Sequence, residues 1–190
     1  MIKKYGGYEA KKSGGAREIL PAGGYVGRII SAKVDETKFG DRLVVAFDID
    51  EGNYKGFFKR DFDNNNSEDK KWRGVMRLNI PADDGSEYDE FRKRSFNNFA
   101  FALEDSNNGY TFDWDESKLK DKLFGVLFRN KEWAFAGKSG WTTEACGAVD
   151  VKSIREGKFR VPKDKPLDGG RMSASATPAE DAAADESLPF

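Results

Sequence analysis

Between residues 42 and 50, Leu43, Val45, Phe47 and Ile49 point one way and Asp48 and Asp50 the other. A side-chain period of two belongs to a strand that lays one face on a core. This pattern sets the expectation for its surroundings. Pro21-Ala22-Gly23-Gly24 is turn punctuation. A strand is expected after it at 25–35, with Val26, Ile30, Ala32 and Val34 on one face and Arg28 out of place. Phe39-Gly40-Asp41 breaks that strand, and Glu51-Gly52-Asn53 reads as a hairpin turn. A third strand is expected at 54–62, with Tyr54, Gly56, Phe58, Arg60 and Phe62 on one face and Lys55, Phe57, Lys59 and Asp61 on the other. Residues 64–71 are polar and read as a short helix or a loop. Residues 73–80 read as another strand or an extension of the third.

The period then changes. Tyr88, Phe91, Ser95, Phe99 and Ala102 recur at helical spacing over 86–104, with Phe96, Ala100 and Leu103 beside them. Ser86 is the expected cap, with Asp89 as the acid of a capping box. Asn107-Asn108-Gly109 ends the helix, and 115–121 reads as one or two helical turns. A strand at 122–129, a hairpin partner at 132–137 and a last strand at 141–154 complete the pattern. Strands, one helix, then strands is the order of a five-stranded Greek-key barrel with a helix between its third and fourth strands, the OB arrangement. The expected fold is therefore mainly β (α+β), an OB-like barrel over 21–162. Residues 1–20 are Gly-rich and basic, a flexible arm. From 163 the hydrophobic pattern ends, and residues 168–187 are Asp, Gly, Ser, Ala, Thr, Pro and Glu apart from Arg171 and Met172, too little apolar surface to offset chain entropy. A disordered acidic tail is expected over 163–190.

Composition narrows the function classes. There is no histidine, the residue most used for proton transfer near neutral pH and the commonest zinc ligand. One cysteine, Cys146, allows no internal disulfide and no CxxC metal site. No apolar run is long enough to span a membrane, and the N-terminus has no secretory h-region. A cytoplasmic binding protein, with no cofactor, no metal and no catalytic residues, is the expectation. The net charge of −1 conceals an asymmetry: Arg171 against Glu180, Asp181, Asp185 and Glu186 gives −3 over 171–190, which leaves +2 for the rest. A basic body on an acidic tail points to a nucleic-acid partner.

The tail finishes Asp185-Glu186-Ser187-Leu188-Pro189-Phe190. A terminal ring and a free carboxylate behind acids make a compact ligand: the ring enters an apolar pocket and the carboxylate meets a cation at its rim. These six residues resemble the acidic Pro-Phe tip of bacterial and phage single-stranded-DNA-binding proteins. The body is similar to OB-fold single-strand binders of phages of Gram-positive bacteria through LPAGGYVGRIISAKV and YKGFFKRDF. The resemblance implies binding of single-stranded DNA, in the host cytoplasm if phage-encoded. It also implies recruitment of replication, recombination or repair proteins through Asp185, Glu186, Leu188, Pro189 and Phe190. Whether the protein is a monomer or a homo-oligomer stays open.

Single-strand binding needs cations along the phosphates and flat rings for the bases. The segment 54–77 supplies both, and the candidate contacts are Lys55, Phe57, Lys59, Arg60, Trp72, Arg73 and Arg77, with Trp133 at the hairpin of the fourth and fifth strands. Phe58 and Phe62 read as core. The basic residues of 152–165 would extend the path or solubilise the last strand. Two other readings stand beside this one. Asp61, Asp63, Asp83 and Asp84 would have to assemble for a metal-dependent nuclease of phage DNA metabolism. A phage protein-interaction or inhibitor protein is the third.

Overall fold

The computed structural model describes residues 18–167. β1 (Gly23–Asp35) is the middle strand of a five-stranded antiparallel sheet. On one side it pairs with β2 (Arg42–Ile49), which pairs with β3 (Val75–Asn79). On the other it pairs with β4 (Leu123–Phe135), which pairs with β5 (Lys138–Val149). The order β3-β2-β1-β4-β5 makes β3 and β5 the edges. The sheet curls until these two edges approach each other, yet no ladder joins them among the described residues. Three helices, α1 (Phe57–Asp63), α2 (Glu87–Ser106) and α3 (Val151–Arg155), complete a mainly β, α+β architecture. α2 follows β3 in the chain and packs on β3, β4 and β5. Among the described residues no helix is long and apolar enough to cross a membrane.

The core is built of phenylalanine. Phe47 of β2 meets Phe58, Phe124 and Phe128 at centroid distances of 5.7, 5.4 and 6.2 Å, and Phe99 of α2 meets Phe124 at 5.8 Å. Each fully buried Phe contributes roughly 1.5–3 kcal/mol. On β2 Leu43, Val45, Phe47 and Ile49 are all buried as expected, but Val44 and Ala46 on the other face are buried too, so the strand is covered on both faces there and only Asp48 breaks the run. β1 carries a bulge between Ile29 and Ser31, which turns Ile29 fully inward and leaves Ile30 half-buried.

The strand expected at 54–62 is instead a turn followed by α1. The cause lies in β2. The Asp48 carboxylate accepts the N–H groups of Ile49 (2.8 Å), Phe58 (2.9 Å) and Lys59 (3.2 Å). It therefore satisfies donors that a helix N-terminus leaves open, and puts a negative charge where the helix dipole favours one. Burial lifts the Asp48 carboxyl above its ordinary range, and these hydrogen bonds oppose the rise. On a short helix Phe57 and Phe58 both reach the core, where a strand would have sent them to opposite faces.

β3 is preceded by a strap. The Phe47 N–H donates to the Gly74 carbonyl at 2.8 Å, and Trp72 Nε1 donates to the carbonyls of Phe47 (3.1 Å) and Gly74 (3.2 Å). A Cβ on Gly74 would lie 2.1 Å from the Phe47 oxygen, so only glycine fits this approach. The strap takes Trp72 into the core.

Other boundaries shift for local reasons. β4 runs on to Phe135, so 132–137 is not a separate strand. β5 ends at Val149 because Asp150 caps α3, accepting Ser153 N–H at 2.7 Å and Ser153 Oγ–H at 2.6 Å. Ser86 caps α2 by accepting Asp89 N–H at 3.1 Å, but the buried Asp89 carboxylate turns away to accept Ala82 N–H at 2.7 Å. Residues 115–121 form one 3-10 turn, Glu116–Leu119. The body also continues past 162: Lys165 donates to the Asn130 carbonyl at 2.8 Å and accepts from Glu132 N–H at 2.9 Å, a parallel bridge on β4. The arm up to residue 17 and the tail from 168, with Asp185, Glu186, Leu188, Pro189 and Phe190, lie outside the described residues.

Candidate nucleic-acid interface

The seam between β3 and β5 opens into a cleft of about 740 Å³. β3 and its strap supply Arg73 and Arg77, α2 supplies Phe91 and Arg92, and the β4–β5 hairpin supplies Arg129, Lys131, Trp133 and Glu144. Lys165 closes one side, and Glu18 to Leu20 line another, where Thr143 Oγ–H donates to the Leu20 carbonyl at 2.8 Å. Six cations thus face two carboxylates, Glu18 and Glu144, so the lining is net positive.

The strand geometry explains how the hairpin side is built. Arg129, Lys131, Trp133 and Phe135 are spaced by two and share a face of β4. Across the hairpin they stand opposite Glu144, Thr142, Gly140 and Lys138. Glu144 accepts from Arg129 Nη2 at 2.6 Å and pairs with Lys131 Nζ at 2.9 Å. Burial works against its charge, but the hydrogen bonds from Lys131 and Arg129 outweigh it and hold the carboxyl below the usual range. One acid between two cations leaves a local positive surplus and fixes both stems. Burial pushes the Cys146 thiol of the same lining up, so it stays protonated near neutral pH.

Trp133 is 39 % exposed. A Cβ on Gly140 would meet its Nε1, Cε2 and Cζ2 each at 3.3 Å. Three neighbouring ring atoms at equal distance place that point over the ring face. The indole thus lies close over Gly140 while 39 % of the residue stays open to solvent. Arg77 makes no ion pair among the described residues, whereas Arg73 faces Asp61 at 3.7 Å.

Of the residues expected from the sequence, Arg73, Arg77 and Trp133 meet at this cleft, and Phe57 reaches its floor. Phe57 and Trp72 are 5 % and 7 % exposed, so neither offers an open face for stacking; α1 and the Gly74 strap turn both inward. Lys55 lines a separate recess of about 270 Å³ beside Arg28 and Asp50. Lys59 pairs with Asp63 at 3.1 Å, and Arg60 donates to the Lys55 carbonyl. The face of Lys55, Phe57 and Lys59 expected on a strand therefore does not form. Phe91, Arg92 and Arg129 were not foreseen; reading the period of two on from Arg129 to Trp133 would have found the last of them.

The four aspartates of the nuclease reading are dispersed. Asp61 faces Arg73, Asp63 pairs with Lys59, Asp83 pairs with Lys93 at 2.7 Å, and Asp84 accepts Ser86 N–H at 2.9 Å. Among the described residues no group of three or more carboxylates or cysteines is placed to hold a metal ion. Comparison with protein-family models and with curated proteins finds no match for the chain.

Proposed function

We propose that the protein binds single-stranded DNA in the cleft between β3 and β5, without chemistry on it, and presents its C-terminal tip to replication, recombination or repair proteins. The observation that carries this reading is the lining of the cleft: six cations against two acids, with the Trp133 ring held open over Gly140. Cations release counterions from phosphates, and an open indole face stacks an unpaired base. Duplex DNA, whose bases are already stacked, has no use for that face.

The fold reading is consistent with this. A five-stranded sheet ordered β3-β2-β1-β4-β5, a helix between β3 and β4, and edges that turn toward each other support reading the fold as an OB-like Greek-key barrel left open at one seam. The β4–β5 hairpin, one of the two loop regions such barrels use for oligonucleotides, carries Trp133. Action on DNA in the cytoplasm belongs to the same proposal.

The test is fluorescence anisotropy with labelled oligothymidylate and with a duplex of equal length. Tight, salt-sensitive binding of the single strand and weak binding of the duplex are expected. Equal binding of both, or none of either, overturns the reading.

A further inference from the structure

We propose that single-stranded DNA leaving the cleft continues over a second stacking platform, formed by Tyr88 and Phe91 of α2 and Phe39 of the β1–β2 loop around Arg92. The inference rests on the cleft reading and extends it. Tyr88 and Phe91 are each 59 % exposed and Phe39 is 76 % exposed. Three large rings stand outside the core on two elements that have no sequence contact.

Arg92 ties Tyr88 to the loop of Phe39. Its guanidinium lies 4.5 Å from the Tyr88 ring centroid, and its Nη2 donates to the Phe39 carbonyl at 3.1 Å. Lys38 Nζ stands 5.3 Å from the Phe39 ring. Two of the three rings therefore carry a cation of their own. Glu90, on the same helix, is engaged by Lys93 at 3.1 Å. Phe91 and Arg92 also line the cleft, so the platform adjoins it directly.

The chemistry selects the occupant. Flat rings beside positive charge suit bases joined by phosphates. A second copy of the chain, docking through the same rings, would bring Arg92 and Lys38 against their own counterparts, and like charges at an interface are unfavourable. A polyanion meets Arg92 and Lys38 with the opposite sign, and of the acids on the first turn of α2, Asp89 and Glu90 are engaged by Lys93.

The experiment compares oligothymidylates of about 8 and about 25 nucleotides, short and long against the roughly 4–16 nucleotides one such fold occupies. The double variant Phe39→Ala, Tyr88→Ala removes two exposed rings and spares the core. Expected is a loss of about tenfold or more for the 25-mer, from stacking of about 1–3 kcal/mol per base, with the 8-mer unchanged. Unchanged affinity for both lengths overturns the platform, and so does an equal loss for both. A change in sedimentation mass between parent and variant overturns it in favour of self-association. Arg77→Ala serves as the separate control: if wild-type protein binds neither length, or Arg77→Ala leaves the 8-mer untouched, the cleft reading itself has failed.

Discussion

The indole of Trp133 covers the backbone of Gly140, its cross-strand partner on the β4–β5 hairpin, where a Cβ would stand 3.3 Å from three of its ring atoms. A side chain at position 140 competes with the ring for the same space. Gly140→Val is expected to lift the indole off the hairpin and weaken single-strand binding, and Trp133→Ala to weaken it by about 1–3 kcal/mol. Both variants should keep the far-ultraviolet circular dichroism of the parent. Equal affinity across parent and variants would remove Trp133 from the interface.

The cations of the cleft are tested by salt. Binding to a single strand loses about 0.7 of log–log slope per phosphate contact removed. Arg77, which makes no ion pair among the described residues, should show this cleanly: Arg77→Ala is expected to flatten the salt dependence by about that amount. A slope identical to that of the parent places Arg77 off the phosphate path.

Trp72 should behave as a core residue. Its ring is buried and its Nε1 is held by two backbone carbonyls. Trp72→Ala is expected to cost about 3–5 kcal/mol of stability, read as a lower denaturation midpoint. Gly74→Ala should also destabilise, because its Cβ collides with the Phe47 oxygen. A Trp72→Ala protein with parental stability and reduced DNA affinity would restore the ring to the binding face.

Acid should loosen the end of the sheet where β1, β2 and α3 meet. Asp50 accepts from Arg28 Nε and Nη2 at 3.0 and 2.9 Å, and Glu51 accepts from Arg155 Nε and Nη2 at 3.1 and 2.6 Å. Hydrogen bonds from these arginines hold both carboxyls below their ordinary range. A carboxyl with a depressed folded-state pKa lends stability above its unfolded pKa and loses it as pH falls through the folded value. Stability should therefore decline as pH drops below the usual carboxylate range. Asp50→Asn should show a shallower decline, measured as denaturation midpoint against pH. Identical pH profiles would mean that the Arg28 pair contributes nothing to folding.

The tip is separable from the cleft. Deleting Leu188 to Phe190 is expected to abolish recruitment of replication or repair proteins while leaving DNA affinity intact, checked by pull-down and anisotropy on the same sample. Undiminished recruitment would place the partner surface elsewhere.

Where a pattern ran long enough, the sequence was a sufficient guide. The alternation of Leu43 to Ile49 and the helical spacing from Tyr88 to Leu103 each span several repeats, so the strand and the helix form where expected; Phe96, Phe99, Ala102 and Leu103 are buried, but Tyr88 and Phe91 on the first turns stay exposed. α1 has seven residues, under two turns, and the same letters read equally well as a strand. What decides between them is Asp48, ten residues away from the Phe58 N–H it accepts. Trp72 was misplaced for a related reason: its neighbours Lys71 and Arg73 suggested exposure, and the Phe47 carbonyl that captures it lies 25 positions distant. Trp133 and Arg77 both line the cleft, because each lies on a strand whose alternation fixes the side it takes. Arg92 joined the site through the packing of α2 against the sheet, a relation between distant segments that local pattern does not carry.

β3 and β5 face each other across the cleft with no ladder between them among the described residues. The gap they frame is thus governed by side chains and by α2, not by peptide groups locked in register. A strand of nucleotides that pushes the two rims apart displaces rotamers and leaves every backbone pairing of β1, β2 and β4 in place, so the mouth can adjust its width while the scaffold keeps its shape.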